Sequence, residues 1–177
     1  MSKPVGKQFE QDIKASIPEG VYYQRLKDPA QAFGGGNAET RFSPQNPYDC
    51  FMYSYPNLYT LELKTVARSM TFWRESFDKS KTKSTYNIKK HQINGLLNAA
   101  EHKGAIAGFI LNFRDTNKTY FVEINRFVEV TNHMAKKSLN EIDVLSMGIL
   151  IPQHQLKVNW RYDIQHLIDK VGDTEGR

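Results

Sequence analysis

Three residues combine side chains and spacing suited to phosphodiester chemistry: Asp49, Glu62 and Lys64. The stretch from Asn46 to Lys64 reads as two β-strands joined by a tight turn at Pro56-Asn57. Successive side chains in a strand alternate faces, so Leu61 and Leu63 point one way while Glu62 and Lys64 point the other. A two-residue turn sets Asp49 opposite Lys64 and Phe51 opposite Glu62, and directly opposite residues share a face. Asp49, Glu62 and Lys64 then converge. Two carboxylates can hold a hard divalent cation through oxygen, with water completing the shell that Mg²⁺ prefers. The lysine can orient or help deprotonate an attacking water, or neutralise charge developing on a scissile phosphate. Spacing alone leaves a second reading open, a chance Glu-x-Lys on the solvated face of an edge hairpin.

Other elements must position that hairpin. Lys3 to Ser16 has helical spacing at Phe9, Ile13 and Ile17, with Ser2 as a cap, Pro4 in the first turn and Pro18 as the stop. Val21 to Leu26 reads as a short strand leading into a turn at Lys27-Asp28-Pro29. The glycines Gly34, Gly35 and Gly36 form a hinge rather than a phosphate-binding loop, because no Gly-Lys-Ser/Thr ending follows. Thr65 to Tyr86 reads as a basic loop interrupted by a short strand. Tyr86 to Lys103 predicts a helix stopped by Gly104, with Ile88, Gln92, Leu96 and Ala100 on one stripe. A glutamine on a buried stripe requires a partner. Two strands, Ala105 to Asn112 and Thr119 to Val128, extend the sheet. Ser138-Leu139-Asn140-Glu141 is a capping box for a short helix, Gly148 to Pro152 ends in a turn, and Tyr162 to Val171 is a last amphipathic helix before a frayed tail.

At 177 residues, 40% hydrophobic and 24% charged, the chain has the size and composition of one globular domain spanning residues 1–177. It has no apolar run near the roughly 20 residues of a membrane span, no apolar leader at Met1-Ser2-Lys3-Pro4, and one cysteine, Cys50. These features lead us to expect a cytoplasmic protein with no membrane partner, and Cys50 reads as a small core residue rather than a nucleophile. The formal charge of +5 is unevenly spread. From Lys64 to Lys90, eight cations (Lys64, Arg68, Arg74, Lys79, Lys81, Lys83, Lys89, Lys90) face Glu75 and Asp78, a local net of +6. Such a block reads either as a phosphate-backbone footprint or as a solvated loop.

The Asp…Glu-x-Lys pattern, Pro47-Tyr48-Asp49 with Glu62-Leu63-Lys64, resembles the PD-(D/E)xK nuclease signature. Around it stand Gly6-Lys7-Gln8-Phe9-Glu10, Tyr23 to Asp28, Asn87-Ile88-Lys89-Lys90-His91-Gln92, and Ala107 to Arg114. That order is similar to the RecU family of Holliday junction resolvases from Gram-positive bacteria and their phages, over about Gly6 to Val130. The resemblance implies an α/β fold like that of restriction endonucleases, a central mixed sheet flanked by helices, with a stalk-like insertion at about residues 30–46. It implies a phage-encoded, Mg²⁺-dependent endonuclease, with Mn²⁺ as a substitute, cutting four-way junction DNA by paired nicks as a homodimer. The chain departs from the family at Tyr48, where a small or β-branched residue is more usual.

In that scheme Asp49 and Glu62 bind metal, Lys64 positions water, and Gln92 completes the site beside the metal. Glu10 either reaches the metal from its helix or pairs with Lys7 or Lys14. For DNA, the expected contacts are Lys7, Arg25, Arg68, Arg74, Lys81, Lys83, Lys89 and Lys90. Arg25 has a salt bridge to Asp28 or Glu39 as its alternative. In the stalk, Phe33 and Phe42 suit stacking or wedging at unpaired bases and Arg41 suits backbone, with packing under the loop as the other reading for Phe42. Two rival functions remain: a nuclease of ordinary or flapped duplex, and a non-catalytic DNA-binding phage protein of the same fold.

Overall fold

The computed structural model describes residues 4–27, 45–75 and 86–175. In chain order the elements are α1 (Val5–Lys14), β1 (Tyr22–Arg25), β2 (Cys50–Ser54), β3 (Asn57–Val66), β4 (Ser69–Thr71), α2 (Lys90–Ala100), β5 (Ala105–Phe113) and β6 (Lys118–Glu123). There follow α3 (Ile124–His133), β7 (Ser138–Asn140), α4 (Glu141–Leu145), β8 (Ile149–Ile151), β9 (Gln153–Gln155), β10 (Trp160–Tyr162) and α5 (Ile164–Glu175). The expected stalk residues Phe33, Arg41 and Phe42, together with Lys81 and Lys83, lie outside the described residues.

Six strands form one sheet in the order β1-β2-β3-β5-β6-β8. Strands β3 and β5 are parallel and every other neighbouring pair is antiparallel, so the sheet is mixed, as the resemblance implies. A parallel pair needs a crossover, and α2 lies in the connection that supplies it. Strand β5 is buried along almost its whole length, which is why Ala-Ile-Ala-Gly-Phe-Ile-Leu-Asn-Phe reads as an unbroken run rather than an alternation. On one face Cys50, Met52, Leu61, Leu63 and Ile110 pack under Phe9 and Ile13 of α1 and Leu167 of α5. On the other, Phe109, Leu111 and Val122 pack under Ile93 and Leu96 of α2 and Phe127 of α3. No helix among the described residues is long and apolar enough to cross a membrane.

Several boundaries differ from expectation. The hairpin turns at Tyr55-Pro56 rather than Pro56-Asn57, because Asn57 already pairs with Ser54; Phe51 therefore faces Thr60. The register moves by two residues, an even number, so every side chain keeps its expected face. Helix α1 starts at Val5, and Ser2 lies outside the described residues. Helix α2 starts at Lys90, not Tyr86, because Ile88 is drawn into an extended bridge, donating to Thr71 O at 3.0 Å and accepting from Trp73 N at 2.9 Å. The run Thr119 to Val128 is a strand only to Glu123. Ile124, Phe127 and Thr131 then bury at helical spacing, an apolar pattern that short windows cannot assign. The capping box falls two residues late: Asn140 Oδ1 accepts from Asp143 N at 3.1 Å and Asp143 Oδ2 from Asn140 N at 2.8 Å, while Ser138 lies in a strand paired with β4. Ile149–Ile151 forms β8 at the edge of the six-stranded sheet and β9 follows at Gln153 where the stretch was expected to end in a turn, and the final helix begins after Tyr162 and runs to Glu175.

Gly108 sits where β5 meets β6, and a Cβ there would lie 2.4 Å from Val122 O and 2.6 Å from the Phe121 ring. Backbone cannot retreat from the middle of a sheet as a flexible side chain can. Gly108→Val is expected to cost about 3 kcal/mol, read as a lowered urea midpoint with an unchanged slope.

Candidate active site

The chain enters β2 through Asp49, whose N–H donates to Leu61 O at 3.1 Å and whose carbonyl accepts from Leu26 N at 2.8 Å. Its carboxylate accepts from Leu63 N at 2.8 Å, which holds it across β3 beside Glu62. Glu62 is 1% exposed. Its Oε1 accepts from Lys64 Nζ at 2.6 Å and, closely, from Gln92 Nε2. Gln92 Oε1 in turn accepts from Lys89 N at 2.9 Å and closes the first turn of α2. The glutamine thus caps its helix with one end of its amide and grips the carboxyl with the other. Asp49, Glu62, Lys64 and Gln92 converge on one face of the sheet.

Burial raises the Glu62 carboxyl from the ordinary 4.5 to about 7; Lys64 opposes the rise, and the charge of Asp49 and a hydrogen bond with it add to it. Two carboxyls in contact, one of them desolvated, favour a cation between them. The donors are oxygens, and among the described residues no group of three or more His, Cys, Asp and Glu side chains gathers to offer a fuller set. Such a set fits a hard cation that keeps much of its water.

One positioning residue was not legible in advance. Gly95, one turn beyond Gln92, lies so close to Pro47 that a Cβ would be 2.6 Å from both the proline Cβ and its carbonyl oxygen. The helix that grips Glu62 therefore also abuts the segment that delivers Asp49. A glycine three residues after the glutamine was the only available signal. His91, a lone histidine without a spaced partner, reads from the sequence as structural or as a phosphate donor rather than as a metal ligand. Its imidazole is held below the usual range by burial and by Lys89 and Lys64, which places it in the same cationic neighbourhood.

The other anticipated residues fall elsewhere. Glu10 pairs with Arg25 at 2.6 Å, rather than with Lys7 or Lys14. Arg25 stands opposite Cys50 and so shares the sheet face that α1 covers, the reverse side from Glu62. Lys7 is exposed and lines a groove with Glu10, Gln11, Lys14, Tyr23 and Arg25. Arg68 pairs with Asp115 at 2.7 Å on the surface. Arg74 donates to Thr131 O, to Asn132 O at 3.1 Å and to Met134 O at 2.8 Å, so its guanidinium closes the C-terminal end of α3. Lys89 is exposed at the start of α2, and Lys90 lies 4.6 Å from the centre of the Trp73 ring. Tyr48 is half-buried, packs on the core beneath α2, and lines a pocket with Pro47, Leu58, Thr60 and Gly95. Cys50 is fully buried with its thiol pushed up to about 12, as befits a core residue.

A six-stranded mixed sheet flanked by helices is the architecture of restriction-endonuclease-like proteins. The chain belongs to the Recombination protein U (RecU) family, the Holliday junction resolvases, which matches residues 65–170. It is 32% identical over 182 residues to the SPbeta prophage-derived uncharacterized protein YotM of Bacillus subtilis (strain 168), covering 94% of this chain and 86% of that protein. The family match begins one residue after Lys64 and runs well past Val130, so the likeness extends into the C-terminal third, contrary to expectation.

The raised Glu62 carboxyl has a measurable consequence. The folded state binds a proton that the unfolded state has released between about pH 4.5 and 7, so stability falls across that window as pH rises. In chelator, Glu62→Gln should match the wild type below pH 4.5 and exceed it above pH 7, by up to about 3 kcal/mol. Urea titrations at a series of pH values check this, and parallel curves for the two proteins would reject a desolvated Glu62.

Proposed function

We propose that the chain is a structure-selective endonuclease that hydrolyses phosphodiester bonds at four-way DNA junctions. The observation that carries this reading is the buried Glu62 carboxyl, held by Lys64 and Gln92 against Asp49. A solvated hairpin with no chemical role has no use for an acid desolvated beside another acid. Membership of the RecU family supports junction DNA as the substrate.

Asp49 and Glu62 would hold Mg²⁺, for which Mn²⁺ would substitute. Bound there, the ion supplies Lewis-acid polarisation of the phosphoryl oxygen and a more acidic water. Gln92 keeps Glu62 in place from the α2 side. Lys64 fixes the same carboxyl and, being partly exposed, presents its remaining N–H groups to an attacking water or to a phosphate oxygen. Lys89 and Lys90 at the start of α2 extend the positive surface along the DNA backbone. Paired symmetric nicks require two such sites facing the two opposed strands, which a two-fold homodimer provides. The relative in the SPbeta prophage supports a phage origin and action in the host cytoplasm.

The test is cleavage of a mobile four-way junction and of a linear duplex of the same sequence, with Mg²⁺ and with chelator, at fixed salt. Metal-dependent paired nicks confined to the junction are expected. Asp49→Asn should reduce cutting at least about 10²-fold while junction affinity holds, since it removes a metal ligand and no cation. Equal cutting of both substrates would make the chain a general nuclease, and binding without cutting would make it a DNA-binding protein on a nuclease fold.

A further inference from the structure

The sheet face that carries Asp49 and Glu62 continues, away from the site, onto surface that no helix among the described residues covers. Cross-strand pairing divides this face into rows. The carboxylates form the first, Gln24, Phe51 and Thr60 the second, and Tyr22, Tyr53 and Leu58 the third. Neighbouring rows are two residues apart, about 6.8 Å. Helix α2 covers the middle of β3, where Thr60 is buried, and leaves β1, β2 and the start of β3 open: Tyr22 is 58% exposed, Tyr53 43% and Leu58 37%. Phe51 is half-buried with its ring 6.2 Å from that of Tyr22.

A solvated sheet face ordinarily turns polar side chains outward, and this one turns aromatic rings. The three exposed side chains offer on the order of 300 Å². A stable self-association interface takes about 800 Å² from each partner, so the ledge is small for that purpose. Tyrosine presents a flat π-face to stack on and a hydroxyl for water, which suits a nucleobase better than an apolar protein surface. The ledge lies on the same sheet face as the carboxylates, two rows along β2 from them, with Pro47 and Tyr48 against Leu58 and Thr60 on its α2 side, so a strand lying across Asp49 and Glu62 can reach it along β1 and β2.

We propose that Phe51, Tyr53 and Tyr22 form a stacking platform for unpaired bases of the strand whose phosphate lies at Asp49 and Glu62. The proposal rests on the nuclease reading and adds the means by which branched DNA is selected. Bases inside a duplex have both faces occupied. The rows are about twice as far apart as the roughly 3.4 Å between nucleotides along a duplex strand, so only a strand that has left its stack can follow them. Base-on-aromatic stacking tolerates any sequence, so the platform reads branch shape rather than base identity.

The experiment uses the full chain carrying Asp49→Asn, so that binding is read without cutting. The probes are a short single-stranded oligonucleotide with 2-aminopurine at successive positions, a four-way junction labelled at the branch, and a linear duplex. Binding of the first two should quench the 2-aminopurine. Adding Tyr22→Ala and Tyr53→Ala should abolish the quenching and weaken single-strand and junction binding about tenfold, with duplex binding unchanged. Tyr53→Trp should keep the quenching and Tyr53→Leu should lose it. Equal quenching and affinity with and without the tyrosines would overturn the platform, as would a change in sedimentation mass in the variants, which would mark the ledge as a contact between copies. Quenching by a chain whose wild type cuts neither junction nor duplex would support the platform and reject the nuclease reading, so the two fail separately.

Discussion

The contact on which the site depends is the grip of Gln92 and Lys64 on the buried carboxyl of Glu62. An ionised carboxylate out of water is costly unless it is paired and hydrogen-bonded, and here the partners come from both sides. Lys64 comes from the same strand face two residues on, while Gln92 comes from a helix thirty residues away in sequence. The reach of that helix is fixed by the parallel pairing of β3 with β5, which runs from Leu58 to Val66 and obliges the chain between them to cross one face of the sheet. The same amide that holds Glu62 also caps α2, so the start of the helix and the geometry of the acid are one choice. The crossover therefore fixes both the topology and the position of the acid.

Much of this was legible because alternation in a strand is local. The face shared by Asp49, Glu62 and Lys64 needed only their parity, and a turn misplaced by one residue moved the register by two and left that parity intact. Gln92 was legible as a polar residue on a buried stripe, which must find a partner. What local pattern could not supply was the competition between elements. Ile88 fits the stripe of α2 but is claimed by β4's neighbourhood through Thr71 and Trp73, and Ile124 to Val128 fits a strand until Phe127 and Thr131 bury together as a helix. Gly95 was illegible for the same reason: its close approach to Pro47 is a contact forty-eight positions back along the chain.

The basic block from Lys64 to Lys90 shows how far a count of charges can mislead. Arg74 is spent on the last carbonyls of α3, a helix end that would otherwise lack donors, and Arg68 is turned to Asp115. Neither pairing is visible in a window of sequence, because the partners lie more than forty residues downstream. Among the described residues of the block, Lys64 holds Glu62 and Lys89 lies where α2 begins, both close enough to act on His91, while Lys90 lies over Trp73. Positive charge thereby stands beside the Glu62 carboxyl, where the proposed function puts a phosphate. That arrangement favours orientation of a bound strand over indiscriminate attraction to DNA.

The two carboxylates differ in how they are held, and the difference bears on their chemistry. Glu62 sits inside a strand paired on both sides and cannot move without the sheet. Asp49 sits at the mouth of β2, kept by the Leu63 amide and by the contact between Pro47 and Gly95. Tyr48, the residue between proline and aspartate, turns into the core under α2 and so helps to anchor that segment from below. The spacing of the two acids is set by one rigid helix that touches the supports of both, Gln92 on Glu62 and Gly95 on Pro47. A cation held between two carboxylates experiences the position of that helix directly, and any force that shifts α2 relative to the sheet acts on both donors at once.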